Sequence, residues 1–128
     1  MSTSETPESD PGAVLDDLVP SWLSLAEAAE QLGTSPNRIR QWASERQLIA
    51  VRTPAGRAPR VPAECLVDSA VVKGLAGLLT LMADAGYDDL EAAVWIFTPD
   101  ETLPGRPIDA LREDRGREVR RRAQALAF

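Results

Sequence analysis

Between Thr34 and Pro62 the sequence gathers six arginines, Arg38, Arg40, Arg46, Arg52, Arg57 and Arg60, against one acid, Glu45. Asn37 and Gln41 stand among the first of them. Guanidinium and amide groups are hydrogen-bond donors, and such a density of donors suits a surface that meets many oxygens. Charge alone reaches phosphates, whereas a bidentate Arg, Asn or Gln can read a base edge. Residues for covalent or metal chemistry are missing or isolated. The chain of 128 residues has no histidine, the commonest general base and metal ligand, and its one cysteine, Cys65, cannot form an internal disulfide. Cys65 reads as a small buried apolar residue. The acid pairs Asp16/Asp17 and Asp88/Asp89 are sequence neighbours, about 100° apart on a helix, with no metal motif beside them. Neither an enzyme nor a cofactor is expected.

Formal net charge is −6, yet the charge comes in blocks. Residues 1–20 hold five acids and no base, and residues 21–62 hold six arginines against three acids. Residues 63–103 are acidic again, with Lys73 as their single base, and residues 104–128 carry seven arginines against four acids. An acidic total therefore conceals two basic zones. No apolar run approaches the roughly 20 residues of a membrane span, and the N-terminus has no leader pattern. The expectation is a soluble, cytoplasmic chain associated with the nucleoid.

Elements that could position the donors follow from caps and periodicity. Residues 1–15, rich in Ser, Thr, Pro and acids, are expected to be a disordered tail. Ser24 with Glu27 forms a capping box, Gly33 ends the helix it opens, and Leu25, Ala28, Ala29 and Leu32 make one apolar face. After a tight turn, Ser35 caps a second helix with Pro36 at its first position, expected to run to about Arg46. Ile39, Trp42 and Ala43 face inward, which turns Asn37, Gln41 and Ser44 outward, flanked by Arg38 and Arg40. Ile49, Val51 and Val61 have strand character on either side of "TPAG", so a small hairpin bearing Arg52, Arg57 and Arg60 is expected. From Ala63 the pattern returns to helix, with apolar helices over 69–85 and 88–97, a short one at Pro107 to Arg112 and a basic one from about Arg117.

Two helices joined by a short Gly-containing turn, followed by a hairpin, make a winged helix-turn-helix. The fold class expected is mainly α, with this unit over residues 16–62 and a helical bundle over 63–128 packed on it. In such a unit the second helix enters the major groove of double-stranded DNA. Asn37, Arg38 and Gln41 are then the base-edge candidates, with Ser35 at the leading end of the same helix. Arg40 and Arg46 would touch phosphate, and Arg52, Arg57 and Arg60 on the wing would add phosphate or minor-groove contacts.

The stretch "LSLAEAAEQLGTSPNRIRQWASERQLIAVR" resembles the DNA-binding domains of MerR-type and excisionase-type proteins. The whole chain is similar to a family of small actinobacterial winged helix-turn-helix DNA-binding proteins with a helical C-terminal domain. The second half, with "AAVWIFTPDETLPGRPIDAL" and its basic terminal helix, is similar to the toxin-binding domain of Xre/ParS-type antitoxins. The long coiled coil of MerR proteins has no counterpart, so that resemblance stops at the DNA-binding domain. Regulation of transcription or nucleoid organisation would follow from DNA binding, and the family resemblance implies phosphorylation of the tail by a Ser/Thr protein kinase, with Thr3 and Thr6 as candidate sites. The alternative is an inert solubilising tail.

Two further alternatives stay open. The run "REDRGREVRRRAQ" is either a second phosphate-binding surface or a solvated helix paired with the acids between Asp84 and Glu91. The apolar faces of the 69–85 and 88–97 helices form either a core or a docking surface for a protein partner or a second copy.

Overall fold

The computed structural model describes residues 10–126. Thr3 and Thr6 lie outside them. The chain opens on helix α1 (Pro11–Leu18), capped by Asp10, whose side chain accepts from Gly12 N at 3.0 Å, and has Pro11 at its first position. This corrects the expected tail, since residues 11–15 are helical and Leu15 is completely buried. Its acid- and Pro-rich flank hid a helix whose Leu15 and Leu18 share one face, continued by the buried Val19 just past its end. That face packs on the C-terminal half of the chain, against α5 (Asp89–Phe97).

Strand β1 (Trp22–Ser24) leads into α2 (Leu25–Leu32), where the capping box forms as expected: Ser24 Oγ accepts from Glu27 N, and Glu27 Oε1 accepts from Ser24 N. Gly33 ends α2 in the left-handed region at φ 68°, which favours glycine, and Thr34 N donates to Ala29 O at 2.9 Å. This turn sets α3 (Pro36–Ser44) across α2. The helix stops two residues short of Arg46, which takes a left-handed conformation, φ 59°, as the chain reverses.

The wing is a loop over residues 52–59, closed by one antiparallel bridge in which Val51 and Arg60 exchange both backbone hydrogen bonds, at 3.0 and 2.9 Å. The strand that continues from it, β2 (Arg60–Pro62), pairs with β1 rather than with a hairpin partner, in the register Trp22 to Pro62 and Ser24 to Arg60.

Residues 63–74 do not form the expected helix. They make a 3-10 turn (Ala63–Cys65) and a tight hairpin of β3 (Leu66–Val67) and β4 (Ala70–Val71). Asp68 and Ser69 both have positive φ, 51° and 63°, as a two-residue turn of this hand requires. The β-branched Val67, Val71 and Val72 favour strand over helix there. Helix α4 (Leu75–Asp84) then begins at Gly74, followed by α5, α6 (Pro107–Arg112) and α7 (Gly116–Leu126).

One continuous core joins both halves. Ile39 of α3, Leu15 of α1, Val61 of β2, Leu75, Leu78 and Met82 of α4, and Ile96 and Phe97 of α5 belong to a single cluster. The apolar faces of α4 and α5 are turned into it, so they do not form the alternative docking surface; among the described residues the exposed large apolar side chain is Leu126. Cys65 is fully buried, as its sequence context suggested, and burial pushes its thiol up, out of reach of a redox role near neutral pH.

Candidate nucleic-acid interface

Helix α3 displays its donors because its inner stripe is anchored. Ile39 is fully buried and Trp42 and Ala43 are half-buried, which leaves Asn37, Arg38, Arg40, Gln41 and Ser44 exposed. Ser35 Oγ accepts from Arg38 N at 3.2 Å, so this residue fixes the start of the helix while remaining at the surface. On the exposed face Arg40 donates to Asn37 Oδ1 at 2.9 Å and Gln41 donates to Glu45 Oε2 at 3.2 Å. These exposed pairs link side chains one turn apart along the helix surface. An arriving ligand can exchange them at little cost, since exposed hydrogen-bonded pairs contribute little.

Arg46, Arg52 and Arg57 are exposed, and among the described residues none of the three takes part in an ion pair. Arg46 lies at the end of α3, whereas Arg52 and Arg57 lie on the wing loop.

Arg60 departs from the expectation. Instead of reaching outward from the wing, it lies over the Trp22 ring, with the guanidinium carbon 4.3 Å from the ring centroid. Its Nη2 donates to Asp16 Oδ1 at 3.0 Å and to Thr53 Oγ1 at 2.6 Å. Pairing of β2 with β1 sets this direction, because it places Arg60 beside Trp22. Asp16 also accepts from the Thr53 hydroxyl and from Ala55 N, so one carboxylate ties α1 to both ends of the wing turn. Burial raises the Asp16 carboxyl, but the hydrogen bonds from Thr53, Ala55 and Arg60 outweigh it and hold the group below the ordinary carboxylate range. In the sequence Asp16 is half of an acid pair with no charged or metal-binding motif beside it. A link across 44 residues leaves no local pattern that could have revealed it.

Arginines of the second basic zone divide in the same way. Arg106 donates from Nη1 to Glu64 Oε1 at 2.9 Å and from Nε to Asp109 Oδ2 at 2.9 Å, and its Nη2 bridges both carboxylates. The Arg106 hydrogen bond, larger than the opposing effect of burial, holds the Asp109 carboxyl low. Arg112 donates to the carbonyls of Glu64 and Leu66, at 2.8 and 2.9 Å. Arg115 pairs with Glu113 and Glu118, and Arg122 reaches the Thr102 hydroxyl. Among the described residues no acid between Asp84 and Glu91 forms an ion pair with α7, so that expected pairing is absent.

Comparison with known proteins bears on the family and the fold. Residues 12–66 match the family described as "DNA-binding protein Rv2175c, wHTH domain", and residues 72–127 the family described as "Rv2175c C-terminal domain of unknown function". The protein named DNA-binding protein Rv2175c, from Mycobacterium tuberculosis (strain ATCC 25618 / H37Rv), is 40% identical, over 90% of this chain and 86% of its own. The NMR structure of Rv2175c superposes with a TM-score of 0.76 at 38% identity, covering 84% of this chain and 82% of that one.

Proposed function

The chain belongs to the Rv2175c family of winged helix-turn-helix proteins, and from that premise we propose that it binds double-stranded DNA through α3 and the wing. The observation that carries the proposal is the face of α3: a helix fixed inward by Ile39 and presenting Asn37, Arg38, Arg40 and Gln41 to solvent. A major groove about 12 Å wide admits one helix, and its base edges are read by the donor types this face carries. Asn37, Arg38 and Gln41, in the first turns of α3, read bases. Arg40, Arg46, Arg52 and Arg57 hold phosphates and set the register. Arg60 supports the wing from beneath and touches no DNA. Regulation of transcription follows where the bound site overlaps a promoter, and the family match supports a non-enzymatic role.

Arg38→Ala and Gln41→Ala should each cost about 1–3 kcal/mol of discrimination between a selected site and random duplex, read by fluorescence anisotropy. Arg57→Ala should weaken binding to every duplex alike and reduce the salt slope by about 0.9, the yield of one phosphate contact. Unchanged affinity in all three variants would sink the assignment.

A further inference from the structure

The C-terminal basic helix has no assigned role, and its arginines are not distributed at random. In α7 the buried residues Val119 and Ala123 define the inner face. Arg117, Arg120, Arg121 and Gln124 fall at i, i+3, i+4 and i+7 on the outer one, and all four are exposed. Among the described residues the three arginines form no ion pair, although Arg115 and Arg122 on either side of them are tied down. Three unpaired guanidinium groups on one stripe repel one another, and an external polyanion would relieve that repulsion.

The stripe adjoins the DNA-reading unit. A cleft of about 630 Å³ runs between Lys73, Gly74 and the first turns of α7, including Arg117 and Arg121. A second cleft, about 430 Å³, shares Gly74 and is also lined by Trp42 of α3 and by Gln47, three residues past its end. Gly77 also lines the second cleft, and a Cβ there would lie 3.8 Å from Arg120 Nη1. Gly74 thus borders both a cleft that reaches α3 and one that reaches α7. Two acids, Asp114 and Glu118, also line the α7 cleft; Arg115 pairs with Glu118, and Lys73 Nζ lies 3.9 Å from Asp114 Oδ1 in an exposed pair that a phosphate can exchange at little cost.

We propose that Arg117, Arg120 and Arg121 of α7, with Lys73, form a second phosphodiester-binding surface that holds the DNA backbone flanking the segment read by α3. This rests on the DNA-binding function proposed above. The C-terminal half then adds affinity without sequence preference, since phosphate contacts carry no base information.

The test measures salt-dependent anisotropy of the full chain on two duplexes, a short one spanning only the α3 site and one extended by about a helical turn on each side. Replacing the three arginines together by glutamine should reduce the salt slope on the long duplex by roughly two to three and weaken binding roughly ten- to hundredfold at 0.15 M salt. The short duplex should bind nearly unchanged. Replacement by lysine should restore the slope, because a phosphate needs the charge rather than the planar fork. An equal slope for the glutamine variant and the unaltered chain on the long duplex overturns the proposal. So does a loss that is identical on both duplexes or one that lysine fails to rescue. If the unaltered chain binds neither duplex, the DNA-binding function itself falls and this surface falls with it. If Arg38→Ala weakens binding and the α7 variant does not, only the second surface is lost.

Discussion

The two basic zones look alike in the sequence and behave differently within themselves. In the first, Arg38, Arg46, Arg52 and Arg57 reach solvent, while Arg60 lies against Trp22 and Asp16. In the second, Arg117, Arg120 and Arg121 reach solvent, while Arg106 is enclosed by Glu64 and Asp109. Local composition does not separate the two kinds. At Arg60 and Arg106 the fold brings a carboxylate from a distant segment: Asp16 lies 44 residues from Arg60, and Glu64 lies 42 residues from Arg106. Inward arginines fasten segments together, and outward ones remain available to a polyanion.

If that division is right, stability and DNA affinity should respond to different arginines. The largest effect on stability is expected at Arg106. Arg106→Ala leaves two carboxylates, each partly buried, without their partner. The cost should be about 2 kcal/mol, less than the 3–5 kcal/mol of a fully sealed pair, with Tm lower by several degrees. A thermal melt that matches the unaltered chain would remove Arg106 from the inward class. Arg60→Ala should cost about 1–2 kcal/mol through the lost hydrogen bonds to Asp16 and Thr53. Arg60→Lys should recover little of it, because an ammonium cannot stack on Trp22 and reach both oxygens. Full recovery by lysine would show that charge alone acts there.

Acid titration gives a smaller, graded version of the same contrast. Asp16 and Asp109 have folded-state values below their unfolded ones, so the stability they contribute is complete above the ordinary carboxylate range and declines as pH falls through the depressed values. Denaturant midpoints should therefore hold steady down to about pH 4 and fall below it. Asp16→Asn and Asp109→Asn should each lower the plateau and flatten that fall; an unaltered acid limb in both would count against these links. Smallest of all, Arg57→Ala should leave Tm where it is while moving the salt slope, and a Tm shift as large as that of Arg60→Ala would erase the distinction.

Much of the reading unit was legible because its determinants are local. The Ser24 and Glu27 box, Gly33, and the Ser35 and Pro36 start each act within four residues, and α2 and α3 formed where these residues placed them. Ile39 and Trp42 against Asn37 and Gln41 gave the outward face by periodicity alone. The errors arose where distance or composition intervened. The acidic opening concealed α1, whose partner α5 lies some 75 residues later in the chain. The apolar content of residues 66–72 suggested helix, although three valines and an Asp-Ser pair suited to a tight turn were already present. Arg60 could not be separated from Arg57 without knowing where Asp16 would lie.

The seat of α1 on α5 has a consequence for the order of events at the ribosome. Asp16, which steadies the wing, rides on a helix whose docking site is completed only at Phe97. During synthesis the reading helix can form early from its own caps, but the wing cannot be locked until three quarters of the polypeptide has emerged. Closure over so long a separation is slow relative to local helix formation. A nascent chain halted before Val94 should therefore carry a protease-sensitive wing, and release of the finished chain should protect it.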